Sequence, residues 1–133
     1  MTDVHYLVGA AGLTWIMLLS ASLLRARGWT PAGLVTALGN RDALDEPSPL
    51  AARADRAAKN MLENLVLFAT LVLAARSAGA DAATTAGACA IFFWARVVYF
   101  AVYLIGIPYV RTAVWGVSLV GLLQLGAAAV TAG

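Results

Sequence analysis

Cysteine, histidine and lysine each occur once, as Cys89, His5 and Lys59, and formally charged residues make up only 12% of the chain. A single cysteine excludes an intrachain disulfide and a thiolate zinc framework. A single histidine near the chain start leaves Ser-His-Asp chemistry and histidine-rich metal sites without support, so no metal is expected. Any catalysis must then use arginine, tyrosine, carboxylate or a cofactor. The formal net charge of +2 is too small to point to nucleic acid. Every basic residue other than Lys59 is arginine, the bias of a high-GC bacterial genome.

Apolar residues are what the chain has in abundance. They make up 62% of its 133 residues, with a mean hydropathy of +0.81, against roughly 45–50% apolar and about 25% charged in soluble domains. The length fits one domain, and the composition excludes both a soluble globule and intrinsic disorder. An all-α integral membrane protein is the class that remains.

Val4 to Leu24 is a run of 21 residues without formal charge, and about 20 are needed to cross a hydrocarbon core of about 30 Å. Asp3 precedes it instead of a basic segment, so it reads as a retained span and not as a cleaved signal peptide. A second uncharged run begins at Thr112. Between them, Glu63 and Arg96 each interrupt a longer apolar segment. Ser48 and Pro49 supply an N-cap and a first helical position where the missing N–H costs nothing. Gly79-Ala80-Asp81 and Gly106-Ile107-Pro108 supply breaks. Four transmembrane helices are expected, over about 4–26, 49–78, 81–106 and 110–132, in a single domain covering 1–133.

The loop over about 27–48 is the one long connection, with a short helical turn expected from Ala32 to Leu38. Arg25, Arg27, Arg41, Arg53, Arg56 and Lys59 all fall between the cores of spans one and two, and the chain termini carry no lysine or arginine. The positive-inside rule therefore places this loop in the cytoplasm, with Arg111 on the same side and both termini opposite. A multi-pass protein of the bacterial inner (cytoplasmic) membrane follows.

A charge inside a span costs about 2.5–3.5 kcal/mol even on the lenient insertion scale, so Glu63 and Arg96 are functional candidates by default. At 100° per residue, Arg53, Arg56, Asn60 and Glu63 share a face of span two. Arg96, Tyr99 and Tyr103 share a face of span three. If the two faces meet, Glu63 and Arg96 can form a buried ion pair. With Arg111, the set also suits a small, mainly anionic zwitterion, guanidinium groups taking its carboxylates and a carboxylate its ammonium. Cys89 reads as a packing residue, Trp29 and Trp115 as interfacial or packing aromatics, Gln124 as an interhelical hydrogen-bond partner, and His5 as incidental.

Arg56-Ala57-Ala58-Lys59-Asn60-Met61-Leu62-Glu63 reads RAxxNxxE. Ala95-Arg96-Val97-Val98-Tyr99 with Tyr103 reads ARxxYxxxY, followed by Arg111. From about Arg53 to the end, this pattern resembles the MAPEG family, the membrane-associated proteins in eicosanoid and glutathione metabolism, in its bacterial branch. The resemblance implies a four-helix bundle assembling as a homotrimer, with glutathione or a similar thiol bound between neighbouring subunits. Carried over by position, Arg53, Arg56, Asn60, Glu63, Arg96, Tyr99 and Tyr103 would form the thiol-binding set. Arg111 would stabilise the thiolate, and Arg25 or Arg27 would reach a neighbour's ligand.

The implied activity is a glutathione-dependent transferase or peroxidase acting on small lipophilic substrates delivered by the lipid bilayer. The alternative is a non-catalytic protein of the same fold that binds a lipid or another anionic ligand. A small four-helix transporter ranks lower, because exporters of that kind place a carboxylate inside span one, which has none after Asp3.

Overall fold

A computed structural model describes residues 1–42 and 44–132. Its helices are α1 (Asp3–Ala26), α2 (Pro31–Leu38), α3 (Pro49–Ser77), α4 (Ala82–Ile105) and α5 (Pro108–Ala132). All but α2 are long and apolar enough to cross a bilayer, which makes the chain a multi-pass membrane protein. At about 1.5 Å per residue, the 24 residues of α1 span about 36 Å.

The helix ends follow from local chemistry. The Ser48 hydroxyl accepts from the Ala51 N–H at 3.2 Å, and Pro49 opens α3. Asp81 caps α4 by accepting from the Thr84 N–H at 2.8 Å, and these Thr84 bonds, backbone first and then side chain, hold its carboxyl below the usual range. Gly106, at φ 89°, ends α4 in the left-handed region that favours glycine. Span four starts at Pro108, two residues before the expected position, because proline is at home in a first turn. His5 is not incidental: with Thr2 it closes a capping box at the start of α1.

Helices α3 and α4 pack against each other and against both α1 and α5, while α1 and α5 share no packing contact among the described residues. The bundle is thus a diamond with α3 and α4 across its short diagonal. Small residues bring the pairs close. Ala54, Ala57 and Ala58 are buried on α3 beneath Met61. The Phe68 and Phe92 rings stack at 4.1 Å between centroids, with Cys89, Val72 and Leu125 in the same cluster. Cys89 is a buried packing residue.

The tightest approach is at Gly121, where a β-carbon would stand 2.8 Å from the Ala88 carbonyl and 2.9 Å from the Phe92 nitrogen. Both are backbone atoms and cannot rotate away. Gly121→Ala is expected to push α5 off α4 and to cost about 1–3 kcal/mol of overpacking. A lowered thermal unfolding midpoint in detergent checks this.

At the end of the bundle away from Arg111, the Arg76 guanidinium donates to both oxygens of Asp3 at 2.9 Å, tying α1 to α3. Gln124 is exposed and makes no side-chain hydrogen bond among the described residues, so the expected interhelical bond is not formed within one copy.

Candidate functional site

Three helices contribute side chains to a cleft near the opposite end. Its volume is about 240 Å³, and its lining is Asn60 from α3, Tyr99 and Tyr103 from α4, and Arg111, Thr112 and Trp115 from α5. The backbone explains the grouping. Tyr99 and Tyr103 are one turn apart, as are Arg111 and Trp115, so each pair lies along one helix face. The Gly106–Pro108 turn folds the start of α5 back beside the last turns of α4.

Within this cleft the polar groups are ordered by one another. The Tyr99 and Tyr103 rings meet edge to face at 5.3 Å. The Arg111 guanidinium lies over the Tyr103 ring at 4.6 Å, and that of Arg96 over the Tyr99 ring at 4.2 Å, both within cation–π range. Arg56 Nε donates to the Tyr103 hydroxyl at 3.3 Å.

Arg96 is completely buried. Its Nη2 donates to Asn60 Oδ1 at 2.8 Å and its Nε faces the Met61 sulfur at 3.3 Å, while Nη1 has no hydrogen-bond partner among the described residues. The ion pair expected between Arg96 and Glu63 is therefore corrected. Glu63 is exposed on α3 and forms no salt bridge among the described residues. The cause is angular. Glu63 lies about 60° around the helix from Asn60, and the packed neighbours α4 and α5 cover only Asn60's side of that arc.

The other expected site residues separate by position. Asn60, Tyr99, Tyr103 and Arg111 line the cleft. Arg56 joins it through Tyr103, and Arg96 stands behind it through Asn60 and Tyr99. Arg53 points elsewhere, donating from Nε to the Leu104 carbonyl at 3.0 Å, where it satisfies a free acceptor in the last turn of α4. Lys59 is paired with Asp55 at 2.8 Å on the exposed flank.

Two lining residues escape a reading of charges and motifs. Thr112 and Trp115 carry no charge and belong to no motif, yet they sit within one turn of Arg111. That helical spacing is the signal that finds them.

Chemically, the cleft offers a guanidinium, two phenols, an indole, a hydroxyl and an amide, with further cations immediately behind and beside it. Guanidinium and hydrogen-bond donors of this kind are chemically suited to an anion. No curated protein and no solved structure matches the chain. The profile of the MAPEG family matches residues 4–131, nearly the whole length, and the chain belongs to the MAPEG family.

Proposed function

We propose that the protein is a thiol-dependent membrane transferase or peroxidase, taking glutathione or a similar low-molecular-weight thiol and a lipophilic second substrate. The observation that carries this reading is the Arg111 guanidinium held over the Tyr103 ring in the wall of a cleft also lined by Asn60 and Tyr99. A fixed cation beside a thiol favours its thiolate and lowers the pKa from about 8.5.

The donor set fits such a ligand. Arg56 and Arg111 suit carboxylates, and the Glu63 carboxylate suits an ammonium. When bound, the thiol supplies a sulfur nucleophile that would displace a leaving group from an electrophilic carbon, or attack a peroxide oxygen with cleavage of the O–O bond and release of the alcohol. A second thiol would then convert the sulfenic acid to disulfide and water. The chain's own part is to position the ligand, hold positive charge near the sulfur and keep one side of the cleft apolar for a substrate arriving from the bilayer.

The polar flank of α3 supports an assembled form. Arg56 and Glu63 are exposed in a single copy although they belong to a membrane-crossing helix, where uncovered charge is costly. A homotrimer with the thiol between neighbouring copies covers that flank and brings Glu63 to the ligand. Native mass spectrometry in mild detergent should give a trimer; a monodisperse monomer or dimer that still bound thiol would defeat the intersubunit site. The arginine-rich end faces the cytoplasm of a bacterial inner membrane in this reading.

Mixing purified protein with glutathione and following ultraviolet thiolate absorbance against pH tests the function directly. Thiolate forming well below the pH of free glutathione supports catalysis. Ligand binding without thiolate favours a non-catalytic binder of anions. Glu63→Gln and Arg56→Ala are each expected to weaken glutathione binding by about 2 kcal/mol, the lower end for truncating one partner of a desolvated charge pair. Calorimetric titration checks both, and unchanged affinity would remove these residues from the ligand set.

A further inference from the structure

Helix α2 is the one element that packs against α1 alone, and its two sides differ sharply. Thr30 caps it by accepting from the Gly33 N–H at 3.0 Å, and Pro31 opens it. Gly33 is buried so closely on the end of α1 that a β-carbon there would collide with the carbonyl oxygens of Ala26 and Arg27. Beyond the helix, Arg41 Nη2 donates to Ser22 on α1 at 3.0 Å and to the Ala37 carbonyl at 2.9 Å. The helix is pinned to the end of a membrane span at both of its own ends.

One side of α2 borders a polar cleft of about 300 Å³, where Ala32, Gly33 and Thr36 face Arg25, Asp45 and Glu46. The other side carries Leu34, Val35 and Leu38, which fall within an arc of about 100° on a helical wheel. Val35 and Leu38 are 73% and 82% exposed, and Trp29, just before the helix, is 67% exposed. None of the described residues covers this face.

Position decides what does. Helix α1 is about 36 Å long against a hydrocarbon core of about 30 Å, and the headgroup layer adds only about 5–8 Å on each side. A helix whose Gly33 touches the last carbonyls of α1 cannot leave that layer. An apolar face of three side chains and one indole is also far smaller than the roughly 800 Å² per partner of a specific protein interface. Partition into a bilayer requires no complementary surface, and tryptophan is enriched at the headgroup level.

We propose that α2 is an interfacial helix whose Trp29, Leu34, Val35 and Leu38 face is seated in the headgroup–acyl boundary of the bilayer, with its polar cleft turned to water. It anchors the long α1–α3 connection at a fixed depth. The assignment rests on the membrane spans and is independent of the thiol chemistry.

Cys89 is the only cysteine, so Cys89→Ala provides a background in which Val35→Cys, Leu38→Cys and Thr36→Cys can each carry a nitroxide. The first two positions are exposed, so their labels displace no core. In nanodiscs of phosphatidylethanolamine and phosphatidylglycerol, the ratio of oxygen to nickel-complex accessibility should be severalfold higher at 35 and 38 than at 36. Free access of the nickel complex to 35 and 38 would place the face in water and overturn the proposal. So would exclusion of both reagents, or spin–spin broadening between copies, either of which would mean protein covers it.

Discussion

Asn60→Leu is expected to destabilise the fold by about 3–5 kcal/mol, the loss that follows when a buried charge is left without its partner. Arg96 has no exposed surface, and Asn60 Oδ1 is its one oxygen acceptor among the described residues, at 2.8 Å. The Met61 sulfur at 3.3 Å and the Tyr99 ring are weaker partners, and Nη1 already lacks an acceptor among those residues. Removing Asn60 would leave the guanidinium with no full hydrogen bond inside a bilayer-embedded bundle.

The same physics predicts a rescue. Exchanging a buried ion for an apolar side chain of similar length is often neutral or stabilising, so Arg96→Met should restore most of the unfolding midpoint lost in Asn60→Leu. Thermal unfolding of both single variants and the double variant in one detergent forms the cycle. If Asn60→Leu alone leaves the midpoint unchanged, the charge is being neutralised by something other than this amide.

These side chains also mark the boundary of what sequence could reveal. The four spans were legible because an apolar run of about 20 residues has few other meanings, and because Ser48-Pro49 and Gly106-Ile107-Pro108 carry their own conformational preferences. That α3 and α4 each have a polar face was legible from spacing alone. How wide a face is buried was not. Asn60 and Glu63 belong to one arc on a helical wheel, but packing divides them, leaving the amide inside and the carboxylate outside.

Pairings over long separations were equally hidden. Asp3 and Arg76 are 73 residues apart and have no local signature. Arg53 bonds a backbone carbonyl, an acceptor that every residue carries and no side-chain pattern displays. A charge in the sequence announces that some partner is needed without saying which. The motifs therefore named the cluster around the cleft better than the roles of its members, and the two arginines of α4 and α5 are where those roles most need separating.

Arg111→Ala is expected to raise the pKa of bound glutathione by about one unit or more. Two features favour Arg111 over Arg96 for this role. Arg111 lines the cleft itself, whereas Arg96 lies behind Asn60 and Tyr99. Arg111 also belongs to the first turn of α5, where the helix N-terminus adds partial positive charge. With the cation present, the bound thiol pKa is expected below its ordinary value, favouring thiolate near neutrality. Without it, each unit of rise cuts the thiolate fraction at pH 7 up to about tenfold, and turnover should fall with it. Affinity should fall less, because the lost interaction acts on the charge that develops at sulfur more than on the whole ligand. Arg111→Lys keeps the charge but not the planar fork and should recover part of the shift. The measurement is the thiolate titration repeated on Arg111→Ala, Arg111→Lys and Arg96→Met. A thiol pKa that stays in place without Arg111 but rises without Arg96 would reverse the two roles, and one indifferent to both would remove catalysis from the cleft.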